Sequence, residues 1–255
     1  MFVVLKKSRL IIIAVALAVI ILCVTLGVCF GGSATSAVGK EQRKIPVYSV
    51  NTEESVVALS FDAAWGSDKT LKILDILDEY EVKATFFLVG FWIDAYPDMV
   101  KEIHKRGHLI GNHSENHRHA NVMSKEELTK EVLSVSRKIT DITGQEVKYF
   151  RAPFGEYNNT LMTVLEENGI TGVQWSVDSL DWKGLSGGQI ADRILPKVKK
   201  GSIVLCHNNS DHILEALPLV LMGLKNKGLK AVRMDELVLT ENYRVDNNGT
   251  QYSTI

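Results

Sequence analysis

The stretch Val56-Val57-Ala58-Leu59-Ser60-Phe61-Asp62-Ala63-Ala64-Trp65-Gly66 decides how the chain is read. It begins as a short apolar strand, over 56–61, and ends in a carboxylate, two small residues, an indole and a glycine. Working outward, the same alternation returns. Strands are predicted at 56–61, 85–89, 109–111, 149–151, 171–175, 202–206 and 230–233, with helices between them at 69–79, 97–106, 125–143, 158–168, 187–199 and 212–227. The helix at 125–143 has the clearest signals. Ser124 and Glu127 make a capping box, Leu128, Val132, Val135, Ile139 and Ile142 make one apolar face, and Gly144 ends it. Strands alternating with helices argue for an α/β domain with a mainly parallel sheet, open or closed as a barrel. In such folds the active site gathers at the C-terminal ends of the strands.

Chemistry-bearing residues do cluster after the strands. Strand one delivers Asp62 and Trp65. After strand three comes Asn112-His113-Ser114-Glu115-Asn116-His117, and strand four ends in Arg151-Ala152-Pro153-Phe154-Gly155. Strand five leads to Asp178, Asp181 and Trp182, and strand six ends in Leu205-Cys206-His207-Asn208. Taken singly, each has a bland reading: Asp62 as a helix cap, Arg151 as a surface ion pair, Trp182 as core, His119 as a solvated residue. Taken together at matching strand ends, they read as one site. His113 and His117 are four apart, which in one helical turn points both rings to one side, as a divalent metal requires.

The chain has 255 residues, 29 Lys+Arg against 30 Asp+Glu, and a net charge of -1. No bulk basic field exists to hold nucleic acid. Residues 10–30 carry no charge and follow Lys6, Lys7 and Arg9. A helix of that length spans roughly 30 Å of hydrocarbon, and the basic flank places 1–9 in the cytoplasm and the rest outside. The competing reading is a cleaved signal peptide, with Thr35-Ser36-Ala37 as the cleavage site. Residues 31–53 read as a linker, 54–240 as the working domain and 241–255 as a loose tail. Only Cys206 lies beyond the apolar run, so the outer domain has no internal disulfide and depends on its core.

The ordered motifs around Asp62, His113 and His117, Arg151, Asp181 and His207 together resemble the polysaccharide deacetylase family, the NodB homology domain of carbohydrate esterase family 4. The phrase Ser-Phe-Asp-Ala-Ala-Trp-Gly behind an apolar N-terminus most resembles its sporulation-associated, membrane-anchored subfamily. The resemblance implies a distorted (β/α) barrel of about seven parallel strands and removal of N- or O-acetyl groups from a cell-wall glycan such as peptidoglycan, with one divalent metal, zinc or cobalt. By position it implies Asp62 as general base, His113 and His117 as metal ligands, Arg151 as the clamp on Asp62, Asp181 as the partner of His207, and His207 as general acid. Trp182 and Leu205 would wall the acetyl pocket, and Trp65, Pro153 and Phe154 would face the sugar. Some members carry a hydroxylated proline at the position of Pro153. The family's first motif normally has two adjacent aspartates, the second a metal ligand; here that position is Ala63, whose methyl group cannot coordinate a cation. The resemblance therefore leaves two readings: a deacetylase whose metal is weakly held or absent, and a glycan-binding or wall-assembly module without catalysis.

Overall fold

The structure, a computed structural model, describes residues 7–30 and 42–255. Residues 31–41, nearly half of the expected linker, lie outside the described residues, as does Lys6. Lys7–Phe30 forms one helix, α1. Among the described residues no helix is long and apolar enough to cross a membrane, so the anchor reading of 10–30 rests on sequence alone.

Arg43–Ile255 is a separate compact unit. Its elements in chain order are β1 (Ser49–Val50), β2 (Val56–Ala63), α2 (Thr70–Glu79), β3 (Thr85–Leu88), α3 (Gly90–Ala95), α4 (Pro97–Lys105), β4 (Leu109–Asn112), α5 (Lys125–Thr143) and β5 (Tyr149–Phe150). There follow α6 (Asn159–Glu167), β6 (Thr171–Gly172), β7 (Val177–Asp178), α7 (Gly187–Ile194), β8 (Ile203–His207), α8 (Ile213–Asn226), β9 (Lys230–Val232), β10 (Tyr243–Val245) and β11 (Thr250–Ser253). The main sheet has eight strands in the order β6-β5-β4-β3-β2-β8-β7, with β9 also paired to β2. Every pairing in it is parallel.

Strand β2 explains the layering. Side chains alternate across a strand. Val57, Leu59, Phe61 and Ala63 pack into the outer cluster with Ile73, Leu74 and Leu77 of α2 and Leu217 and Leu224 of α8. Ala58 faces the other way, into an inner cluster with Phe87, Tyr149, Val173, Ile203 and Val232. Ser60 and Asp62 follow on that inner face, where apolar filling gives way to charge. The predicted α5 is present with its capping box and a left-handed Gly144 at φ 73°.

Three expectations are corrected. The strand expected at 171–175 is shorter: β6 stops at Gly172, and β7 begins beyond that run, at Val177, and pairs with β8 at the far end of the sheet. β6 and β7 do not pair, so the sheet curls without closing as a ladder. The chain ahead of β2, read as linker, bridges that opening. Val47 bridges to Val173 and Ser49 to Ser202, and Val50 N–H donates to Gly201 O at 2.9 Å. Helix α3, unread in the sequence, is too short to show a period. The tail at 241–255 is not loose: β10 and β11 form an antiparallel hairpin, and β11 pairs in parallel with β1. Gln251 is fully buried, its amide donating to Leu239 O at 2.7 Å and accepting from Leu239 N–H at 2.9 Å. Replacing Gln251→Ala leaves both backbone groups unpaired, and urea unfolding should show a loss of about 1–3 kcal/mol.

Candidate active site

The inner end of β2 is built on a buried ion pair. Arg151, just past β5, is fully buried. Its Nη1 donates to Asp62 Oδ1 at 2.7 Å, and its Nη2 donates to Ser60 Oγ at 2.8 Å and to Gln174 O at 3.2 Å. The guanidinium lies 4.2 Å over the Phe87 ring. That ring covers Gly111, where any Cβ would come within 2.5 Å of it, so β4 needs glycine there. Burial would push the Asp62 carboxyl up, but Arg151 outweighs it and holds Asp62 below the usual carboxylate range.

His113 and His117 do converge, but not on a helical turn. They sit on a loop after β4, and the backbone is left-handed at Ser114 (φ 67°) and His117 (φ 51°). The ring centroids are 5.0 Å apart. Helix α5 holds this loop. Glu131 accepts from the N–H groups of Glu115 (2.8 Å) and Asn116 (2.9 Å). Asn112 donates to Val132 O at 2.7 Å while its Oδ1 accepts from Ser114 N–H at 2.9 Å, and Ser114 Oγ accepts from His117 N–H at 3.1 Å. Sequence reasoning missed Glu131, Asn112, Ser114 and Ser60. Glu131 had a signal: three residues past Leu128, it falls on the apolar stripe of its helix.

His113 Nδ1 is 2.7 Å from Arg151 O. A carbonyl only accepts, so Nδ1 carries the proton and Nε2 keeps its lone pair, 3.5 Å from Asp62 Oδ2. Burial lowers the pKa of His113, and burial with His113 beside it lowers that of His117 to about 4. Both imidazoles are neutral at pH 7, the form that ligates metals. They fit a divalent cation in protonation state and convergence, but they are two. Among the described residues no group of three His, Cys, Asp or Glu side chains is placed to hold a metal ion. Ala63 is fully buried in the outer cluster and does not line the cleft, whereas Ala64 does.

The second charged pair lies past β7 and β8. Asp181 is almost fully buried. Its Oδ1 is 2.6 Å from His207 Nδ1, and its Oδ2 accepts from His207 N–H at 2.8 Å. Ser210 Oγ donates to Asp181 O at 2.8 Å, and Leu180 takes a left-handed φ of 48° to turn Asp181 inward. Burial opposes a charge on His207, but the hydrogen bond and charge of Asp181, with Asp62 and Asp178, outweigh it and raise the pKa above its ordinary value. Nδ1 is committed to Asp181, so Nε2 is the ring atom left for a ligand.

A cleft of about 650 Å³ joins these groups. Asp62, His113, His117, Asp181, His207 and Leu205 line it, together with Trp65, Phe154, Trp175 and Trp182. Trp65, Trp182 and Phe154 are 61%, 60% and 55% exposed. Two expected residues are not in the lining. Arg151 sits behind Asp62, and Pro153 is buried at the start of the short turn Pro153–Gly155 that throws Phe154 out at φ 59°. His119, read as solvated, stacks on Phe154 at 4.2 Å and its Nδ1 is 3.0 Å from Glu156. Replacing Asp181→Asn keeps the shape and removes the charge. The His207 titration, followed by NMR, should fall by more than about one pH unit; an unmoved midpoint would reject Asp181 as the cause.

The comparisons agree with this geometry. The polysaccharide deacetylase family model matches residues 49–173. The chain is 35% identical over 193 residues to a peptidoglycan-N-acetylglucosamine deacetylase of Bacillus cereus, covering 74% of this chain and 70% of that protein. It is 31% identical to the YlxY protein of Bacillus subtilis, over 76% of this chain and 60% of that longer one. Among solved structures it resembles BA3943 of Bacillus anthracis, described as a CE4 family pseudoenzyme, with a TM-score of 0.74 and 30% identity over 81% of this chain and 72% of that one. A mutant of BA3943 described as having restored enzymatic activity matches with a TM-score of 0.73, at 32% identity over 75% of this chain and 70% of that one. With Asp62, His113, His117, Asp181 and His207 gathered in one cleft, Arg151 behind it, and relatives at this identity over this length, the chain belongs to the polysaccharide deacetylase family of hydrolases.

Proposed function

We propose that the chain removes N-acetyl, or O-acetyl, groups from cell-wall polysaccharide, with peptidoglycan as substrate. The observation that carries this is the pair of oppositely tuned groups on one cleft: a carboxylate at Asp62 held ionised by Arg151, and an imidazole at His207 whose charged form is favoured by the Asp181 carboxylate 2.6 Å from its Nδ1. They stand side by side in register on β2 and β8. Hydrolysis of an acetamide needs a water stripped of a proton and a leaving nitrogen given one. Asp62 Oδ1 is taken by Arg151, so Oδ2 receives the water proton as oxygen attacks the acetyl carbon. His207 Nε2 then gives its proton to the departing amine, and acetate leaves. Arg151 keeps Asp62 ionised and fixed, and Asp181 favours the charged form of His207. A divalent cation, zinc or cobalt, would be held by His113 and His117 and would supply Lewis acidity to the water and carbonyl.

The uncharged run at 10–30 behind Lys6, Lys7 and Arg9 supports a membrane anchor with the domain on the extracytoplasmic side. A role in sporulation rests on the motif resemblance alone. A second reading, a glycan-binding module without catalysis, is favoured by the two-imidazole site and by the likeness to a pseudoenzyme.

Acetate release from N-acetylated glycan fragments, assayed while zinc and cobalt are titrated, separates the readings. The deacetylase reading expects Asp62→Asn and His207→Ala each to lower kcat by about 10²–10⁴-fold. Full rate in both variants would sink it, and glycan binding with no acetate release would favour the module. The pH profile has a definite sign. Asp62 is a base whose pKa is lowered, so the acid limb falls below the usual carboxylate range. His207 is an acid whose pKa is raised, so the rate persists past the ordinary imidazole pKa and falls at higher pH.

A further inference from the structure

The guanidinium of Arg151 rests on three acceptors, and one of them, the Gln174 carbonyl, belongs to no strand. Gln174 lies where the chain leaves β6 to cross to β7, the place at which the sheet does not close. Two residues on, Ser176 N–H donates to Ile203 O of β8 at 3.0 Å. Gln174 itself is held from outside the main sheet. Its N–H donates to Val47 O at 2.7 Å, and Val47 N–H donates to Gly172 O at 2.9 Å. Val47 thus stands beside Val173 as a one-residue parallel strand. Its side chain is buried in the inner cluster that also holds Phe87, the ring under the guanidinium. Val47 is fixed from both sides. Ahead of it, Lys44 N–H donates to Asn159 Oδ1 at 2.9 Å and Lys44 Nζ to Thr163 Oγ1 at 3.0 Å, both on α6. After it, Tyr48 N–H donates to Gly249 O at 2.8 Å, Val50 N–H to Gly201 O at 2.9 Å and Asn51 N–H to Gln251 O at 2.8 Å. A Cβ at Gly201 would collide with Val50 O, so only glycine lets this segment lie so close to the entry of β8.

We propose that Val47 is a positioning residue for the Arg151–Asp62 pair, acting through the peptide of Gln174. A backbone carbonyl outside a strand keeps its place only through the bonds of the peptides beside it. Val47 supplies that bond on one side and Ile203 on the other. With Val47 loosened, the Gln174 carbonyl shifts, Nη2 keeps Ser60 Oγ alone, and the guanidinium is free to turn and draw the Asp62 carboxylate with it. The orientation of the pair is therefore set in part by residues that precede the first strand of the main sheet. The kinetic consequence rests on the deacetylase reading above; the hold on Arg151 does not.

The test compares three variants of the full chain. Val47→Ala cuts the side chain that seats the segment, and Val47→Ile keeps it filled. Val238→Ala makes the same cut in the same buried cluster, at a residue bonded to neither Gln174 nor Arg151, and controls for lost packing. The first readout is guanidinium NMR. Held on three acceptors, Arg151 of the wild-type chain should show separate Nη1 and Nη2 signals. Val47→Ala should speed the rotation that merges them about fivefold or more, with Val47→Ile and Val238→Ala within about twofold of wild type. The second readout is acetate release, where Val47→Ala should lower kcat about fivefold to tenfold with KM within about twofold, and Val238→Ala should leave both within about twofold. Equal rotation rates in the two alanine variants, or an unmoved Arg151 in Val47→Ala, would overturn the positioning role and leave the deacetylase reading intact. Absence of acetate release from the wild-type chain would overturn that reading, and the Arg151 signals would still decide the role of Val47.

Discussion

The buried pair between Arg151 and Asp62 constrains the rest of the molecule. A guanidinium with no solvent exposure is tolerated only when its donors are met. Here Asp62 accepts from Nη1, and Ser60 and the Gln174 carbonyl accept from Nη2, while the face of Phe87 covers the guanidinium; among the described residues Nε finds no partner. Those partners come from β2, β3 and the segment after β6. The registers of β2 on β3, β3 on β4 and β4 on β5 must therefore all hold for the pair to close. Replacing such a pair with packed apolar residues is often neutral or stabilising, so stability alone gives no reason for a charge at this place. A fixed carboxylate facing a cleft does.

The site takes one residue type and shifts its pKa in opposite directions. His113 is buried with its Nδ1 on a neutral carbonyl and Arg151 close by, so it stays uncharged. His207 has a buried carboxylate on its Nδ1, which raises its pKa above the ordinary value. The partner on Nδ1 decides the state of Nε2, the atom that meets a ligand. A carboxylate and an imidazole with opposite pKa shifts thereby coexist in one cleft, each held by a partner from a different part of the sheet.

The residues at strand ends were legible in the sequence because each terminates an apolar run, and the cleft gathers them. What supports them was less legible. Glu131 looks like one more charge on a solvated helix, and only its place on the apolar stripe marks it. The short β7 was hidden because the run at 171–175 looked like one strand, whereas the chain crosses from one end of the sheet to the other between Gly172 and Val177. The hairpin of β10 and β11 was read as loose because its residues are polar. Its stability comes from pairing with β1, a contact between the two ends of the domain that no local pattern encodes. The turn holding His113 and His117 depends on left-handed Ser114 and His117, which neither residue type announces.

Strand alternation also bears on the missing carboxylate. Asp62 faces the inner cleft, and Ala63, one residue on, packs in the outer cluster with Phe61. An apolar methyl suits that place, and a carboxylate there would be buried among apolar side chains unless a cation met it. Among the described residues Asp62 is the anion nearest the two neutral imidazoles, and Arg151 already neutralises it. A cation at His113 and His117 would compete with Arg151 for one carboxylate. If Asp62 turned to the cation it would cease to be a free base; if it stays on Arg151 the cation has two neutral donors and binds weakly. Arg151 Nη1 at 2.7 Å and His113 Nε2 at 3.5 Å lie on opposite oxygens of Asp62, so a cation at the two imidazoles would meet a carboxylate already paired with Arg151.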